Sequence, residues 1–270
     1  MAFLSDITLG QYYEADSFVH RLDPRNKFIT CLISMSCLLI IKNLIILFVL
    51  AIFILLSTKA AKLPPKLVIK NIRPFIWLLL LTFFINLFWS EGKLLWQVPL
   101  LNISIYSDGI IRGLLYSLRL MILIVLAALL TLTTSPIDLT DALDKLTSPG
   151  KKLGLPTHEL TMMITLALRF IPTLLQEAER IKKAQISRGA SFEGNLIKKI
   201  KSVIPMIIPL FLAAFRRADE LALAMDSRCY TGGEGRTCFT RLAFKRNDYF
   251  VLIGSLILGS GFILIEYIIL

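Results

Sequence analysis

Apolar residues gather into five runs, and the lengths of these runs predict membrane-spanning helices. A spanning helix needs about 20 mostly apolar residues, and shorter ones are accommodated by charged ends that reach back to the interface. The runs are Phe28 to Ile41, Leu44 to Ser57, Pro74 to Trp89, Ile110 to Thr134 and Tyr249 to Leu270. Only Lys42 and Asn43 separate the first two. Joined, these two would overshoot a hydrocarbon core of about 30 Å, so the pattern predicts a tight helical hairpin turning at that pair. Pro74 opens the third run, where a missing N–H costs nothing in a first helical turn. Residues 90 to 109, with Trp96, Pro99 and the alternating Leu101-Asn102-Ile103-Ser104-Ile105-Tyr106, predict a short external hairpin at the interface.

Between the fourth and fifth runs lies the largest stretch without a span, residues 135 to 248, and it is rich in helix signals. Ser135-Pro136 with Asp138 predicts a short helix ending by Ser148-Pro149-Gly150. A long helix follows from Thr157, as N-cap, to about Arg188. Its apolar stripe is Leu160, Met163, Ile164, Ala167, Ile171, Leu174, Ala178 and Ile181, spaced by threes and fours. A second long helix runs from about Glu193 to Arg228, with Pro205 and Pro209 expected to bend it. The fold class is therefore an all-α polytopic membrane protein with about five spans, two long cytoplasmic helices and a short helix before them. Residues 1–134 form a four-span part, 135–248 the cytoplasmic helical region and 249–270 a terminal span.

Composition agrees with that class and charge orients it. Of 270 residues 56% are hydrophobic and 18% charged, with a mean hydropathy of +0.71, against about 25% charge in soluble domains. The net charge of +11 would suggest nucleic acid in a soluble protein. Here segments 1–27, 59–73 and 135–248 hold 26 of the 30 Lys and Arg. Positive residues stay on the cytoplasmic side during insertion, so the chain is expected to be a multi-pass protein of the cell membrane, with the N-terminus cytoplasmic and the C-terminus external. The lipid bilayer is its expected surroundings, and no nucleic acid is expected as a partner.

Candidate chemistry is sparse. Cys31 and Cys37 lie in an apolar run, and Cys229 and Cys238 have no zinc-ligand spacing. His158-Glu159 is no metalloprotease motif, because residue 162 is Met. His20 reads as a structural hydrogen-bonding group. Arg119, alone among basic residues deep in a span, reads as a structural bond to carbonyls, with a relay or substrate contact as the sharper alternative. A self-contained secondary carrier would show repeated halves, broken spans and more intramembrane charge, and a lipid-acting enzyme would show clustered His or carboxylates at the interface. Two matched helix ends stand out instead. Ser187-Arg188-Gly189 and Ser227-Arg228-Cys229 lie 40 residues apart, each with a small residue before an Arg in a last turn. A guanidinium there has a rigid fork of donors suited to a carboxylate-lined groove. Met162, Met163, Met206 and Met225 add adaptable apolar surface, suited to changing partners or to a static core between the two helices.

These residues resemble one family, the transmembrane T component of energy-coupling factor (ECF) importers, related to the T subunits of cobalt/nickel and biotin transporters. The resemblance rests on Tyr13-x-x-Asp16-Ser17-x-x-His20-Arg21-Leu22-Asp23-Pro24-Arg25-x-Lys27, on the paired Arg motifs with Tyr230, Gly232-Gly233 and Arg236-Thr237 after the second, and on the order of elements along nearly the whole chain. It implies a non-catalytic coupling subunit. Ser187, Arg188, Gly189, Ser227, Arg228 and Cys229 would dock two ATP-binding cassette ATPases. Met162, Met163, Leu166, Phe170, Leu174, Met206, Phe211 and Phe215 would form the apolar surface toward a membrane substrate-binding S component for a vitamin or other micronutrient. ATP and Mg would be bound by the ATPases, with no cofactor on this chain, which has no P-loop. Ser stands for the usual first Ala of both motifs, and Cys229 for the usual Gly, which makes Gly232 an alternative stop for the second helix. Asp23 would cap the first span with Pro24 in its first turn, and Arg25 and Lys27 would anchor it at the headgroups.

Overall fold

The computed structural model describes residues 12–89, 94–98, 103–148, 150, 156–190, 195–232 and 243–269. Its helices are α1 (Pro24–Ile40), α2 (Leu44–Ala60), α3 (Pro65–Ile72), α4 (Ile76–Trp89), α5 (Ser107–Thr133), α6 (Pro136–Thr147), α7 (Thr157–Ser187), α8 (Leu196–Asp226) and α9 (Arg246–Ile269). A two-stranded antiparallel hairpin, β1 (Leu94–Val98) and β2 (Ile103–Tyr106), lies between α4 and α5. The fold is otherwise all-α, and the chain resolves into two compact units, one of residues 10–142 with 242–270 and one built on 143–241.

In the first unit the core lies between α1, α2 and α5, where Leu38, Ile41, Leu47 and Ile122 are buried among neighbouring Leu, Ile and Val. Among the described residues three helical stretches are long and apolar enough to cross a membrane unaided, 65–89, 107–133 and 246–268. The first of these, the third of the predicted runs, begins at Pro65, ahead of the proline expected to open it. Pro74 sits inside a 3-10 turn, Arg73–Phe75, that links α3 to α4. The proline removes one helical donor at residue 74, and the tighter turn absorbs the loss.

Helices α1 and α2 have 17 residues each, about 26 Å, and need support to span about 30 Å. They turn at 41–43 as expected, and α9 fixes the depth of α1 at both ends. At the start, the Asp23 N–H donates to Asp248 Oδ1 at 2.8 Å and Asn26 Nδ2 donates to the Asp248 carbonyl at 2.9 Å. At the finish, the Glu266 carboxylate accepts the N–H groups of Lys42 at 3.0 Å and Asn43 at 3.2 Å. Thus α1 runs parallel to α9 and reaches as deep as Asp248 to Glu266, about 27 Å at helical rise. Arg119 Nη2 on α5 donates to the Ile41 carbonyl of the same turn. The structural reading of Arg119 therefore holds.

Helices α4 and α5 approach closely because Gly109 and Gly113 on α5 have no side chains. A Cβ on either would come within 2.9 to 3.0 Å of a carbonyl oxygen on α4, that of Leu87 or Phe83. The small-xxx-small spacing suits helix contact within lipid.

The opening motif is a folded cap. Asp23 Oδ1 accepts from the Arg25 N–H at 2.9 Å, with Pro24 in the first turn, as expected. Arg25 and Lys27 do not reach for headgroups. Arg25 pairs with the buried Asp23 at 2.9 Å and lies over the Phe244 ring. Lys27 Nζ donates to the carbonyls of His20 at 3.1 Å and Thr133 at 2.8 Å. Both cations are spent on closing the motif against the ends of α5 and α9. Arg25 also holds Asp23 ionised below the usual carboxylate range, against the burial that opposes its charge. His20 is held between Ser17 Oγ at 2.7 Å and the Tyr13 carbonyl at 3.0 Å, a structural role.

Candidate docking site at two helix tips

The second unit consists mainly of α7 and α8, each of 31 residues, about 46 Å. Pro172 lies within α7, and α8 is one continuous helix through Pro205 and Pro209. The first cap differs from expectation: Pro156 holds the N-cap position and Thr157 is the first helical residue, its hydroxyl buried and without a hydrogen-bond partner among the described residues. Asn195 precedes α8, while Glu193 lies outside the described residues.

The two C-termini close in the same way, residue for residue at an offset of 40. At the first, Gly189 has φ +87, its N–H donates to the Ile186 carbonyl at 2.9 Å, and the Ala190 N–H donates back to Gln185 at 3.0 Å. At the second, Cys229 has φ +58, its N–H donates to Asp226 at 2.9 Å, and the Tyr230 N–H donates to Met225 at 3.1 Å. Each is a Schellman closure, in which a left-handed residue lets the chain reverse and satisfy the last carbonyls. Cys229 therefore fills the position glycine occupies at the other tip, and α8 stops there instead of at Gly232. Gly233, Arg236, Thr237 and Cys238 lie outside the described residues.

In both tips the serine hydroxyl bonds back into its own helix, Ser187 to the Lys183 carbonyl at 3.2 Å and Ser227 to Ala224 at 3.0 Å. The arginine that follows is exposed, as are the residues on either side of it. Each closure thus presents one guanidinium at the end of a rigid rod, beside carbonyls whose dipole favours positive charge.

The tips point to separate places. The Tyr230 hydroxyl donates to Met162 Sδ at 3.1 Å, which sets the end of α8 beside the first turns of α7. Arg188 is 26 residues further along α7, about 39 Å at helical rise. One chain therefore carries two equivalent arginine tips separated by nearly a helix length.

Between the tips the unit buries no hydrophobic side chain among the described residues. Of the predicted apolar surface, Met163, Phe211 and Phe215 are exposed, and the two phenylalanines stack at 6.2 Å. Met162, Leu166, Phe170, Leu174 and Met206 are half-buried. The exposed face also includes Leu160, Ile164, Ile200, Ile204, Ile208, Leu212 and Leu223. Ile200, Ile204, Ile208 and Leu212 recur every four residues along α8, a ridge signal that the individual Met and Phe positions concealed. An exposed apolar face of this extent marks an interaction surface.

Residues 15–238 match the family model described as CbiQ, cobalt transport protein. The energy-coupling factor transporter transmembrane protein EcfT of Acidaminococcus fermentans is 46% identical over 266 residues, covering 98% of this chain and 97% of that protein. The EcfT proteins of Clostridium kluyveri and Bacillus subtilis are 44% and 38% identical, each over 259 residues, covering 94% and 95% of this chain and 95% and 97% of their own lengths. The chain belongs to the CbiQ/EcfT family. As a member of this family it is a multi-pass membrane protein, and the family match spans both helix tips as well as the opening motif from residue 15 onward.

Proposed function

We propose that this chain is the membrane-embedded coupling subunit of an ATP-driven ECF importer of vitamins or other micronutrients. Arg188 and Arg228 dock into acidic grooves on two ATP-binding cassette ATPases, one per tip. The exposed face of α7 and α8 bears on a substrate-binding S component in the membrane and passes the movement of the ATPases to it. ATP and Mg belong to the ATPases, and this chain contributes no catalytic group. The N-terminus is cytoplasmic and the C-terminus external, in keeping with the gathering of Lys and Arg on segments 1–27, 59–73 and 135–248.

What carries the reading is the equivalence of the two tips and the distance between them. A single terminal arginine would be an ordinary dipole-favoured residue. Two with the same closure, separated by nearly a helix length, suit two related subunits side by side. The apolar face between them supports a third partner.

Co-purification of the tagged chain from native membranes, with each associated chain identified by mass, tests this. The expected set is two ATPase subunits and a small membrane-embedded binding protein. A chain that purifies alone and moves its substrate in liposomes without ATP would be a self-contained carrier and would overturn the reading.

A further inference from the structure

The first unit holds two adjoining cavities that take no part in the helix tips. One, of about 340 Å³, is largely apolar and lies among α1, α2, α5 and α9. Helix α9 packs on α1, while α1 and α2 both pack on α5, and residues of all four helices line the cleft. Its lining runs from Leu22, Lys27 and Thr133 at one end to Cys37, Leu50 and Phe262 at the other. Lys27 to Cys37 is ten residues of α1, about 15 Å, which is half of a hydrocarbon core about 30 Å thick. The cleft is one leaflet deep, and its mouth lies at the side where α1 and α9 begin.

The second cavity, of about 520 Å³, shares Phe18 and Leu22 with the first and opens beside its mouth. Arg21, Lys62 and Lys245 line it together with Asp16 and Asp248. Both carboxylates are already engaged. Asp16 pairs with Arg21 at 2.8 Å, and the Asp248 oxygens accept the N–H groups of Asp23 at 2.8 Å and Lys245 at 2.7 Å. Among the described residues Lys62 and Lys245 stand in no ion pair. Lys62 also closes α2 at φ +54, a conformation that non-glycine residues seldom take.

We propose that the two cavities together bind one anionic phospholipid, with an acyl chain in the apolar cleft and the phosphate at Lys62 and Lys245. Water is poorly held by so apolar a lining. A lipid chain matches both the depth and the surroundings, and the unpaired lysines select an anionic head. The proposal is independent of the docking role of the tips.

Native mass spectrometry of the purified full-length protein tests it, titrating phosphatidylglycerol against phosphatidylcholine with the same acyl chains. Phosphatidylglycerol should be preferred by about fivefold for each unpaired cation. Exchanging both lysines, Lys62→Gln with Lys245→Gln, should bring the two lipids to parity while both still bind. A Cβ at Gly254, which lines the cleft, meets nothing within 4 Å, so Gly254→Leu should occlude the cleft and abolish retention of both lipids. Gly261 has equal room but does not line the cleft, and Gly261→Leu should retain lipid like the parent. Equal retention of the two lipids by the parent, or a preference that survives the lysine exchange, overturns the proposal, as does Gly254→Leu binding lipid as well as Gly261→Leu. The lysine variant decides the matter alone should Gly254→Leu not fold. A cross-linker at Gly254→Cys that captures a polypeptide in place of lipid also overturns it.

Discussion

At Cys229 the backbone adopts φ +58, a left-handed conformation that a side chain opposes by about 1–2 kcal/mol. Cys229→Gly should therefore raise the thermal midpoint of the purified protein by about 2 °C while leaving partner binding intact. Gly189→Val should lower it; the space beside Gly189 is open, so the loss is one of backbone conformation alone. The kinship of the tips was legible in the sequence because a cap is local: Ser, Arg and a turn residue recur at a fixed offset. Where the second helix ends was not legible, since a cysteine at a glycine position gives no local stop signal. The closure there is completed by Tyr230, held on Met162, 68 residues away. His20 gives a pH test. Burial is the main cause that lowers its pKa below 6.5, so the folded protein resists a proton that the unfolded chain accepts. That stability is complete above pH 6.5 and is lost as the pH falls below it. Thermal midpoints measured from pH 7.5 to 5 should decline for the parent and decline less for His20→Gln.

The elements that define the membrane unit were found by their apolar runs, and their boundaries shifted by a few residues except in the third, where the 3-10 turn at Pro74 joins α3 to α4. Five runs could be read because lipid demands apolar length from each span separately. What fixes their depth could not, because the partners lie far apart in sequence. Glu266 holds the turn at Lys42 and Asn43 across more than 220 residues, and Arg119 holds Ile41 across 78. Read alone, Arg119 looked like an isolated intramembrane charge; together with Glu266 it grips one turn, Glu266 accepting N–H groups and Arg119 donating to a carbonyl. Glu266→Ala strips acceptors from two backbone N–H groups and should cost about 1–3 kcal/mol, seen as a lower thermal midpoint, whereas Glu266→Gln, which keeps one acceptor oxygen, should cost less. At the other contact, Gly113→Leu places a side chain where a Cβ already comes within 3.0 Å of the Phe83 carbonyl. It should separate α4 from α5, detected as lost cross-linking between cysteines introduced on the two helices.

Over the whole molecule, charge, topology and the two tips describe one kind of protein. Because α1 and α9 run parallel, bound together at both ends, α9 starts on the side where α1 starts. With a cytoplasmic N-terminus, a reporter fused after Leu270 should score as external, and a cytoplasmic score would break the topology. On the proposed topology the net charge of +11 is a record of sidedness, with Arg188 and Arg228 singled out by the closures that hold them. The role proposed for them is most directly tested by charge reversal at both tips, Arg188→Glu with Arg228→Glu, followed by recovery of the ATPase subunits on the tagged membrane chain. The account predicts that the double variant inserts and folds normally, retains little or no ATPase and loses ATP-dependent uptake, with each single variant milder. A double variant that recovers both ATPases at the parental ratio and transports at the parental rate would contradict it.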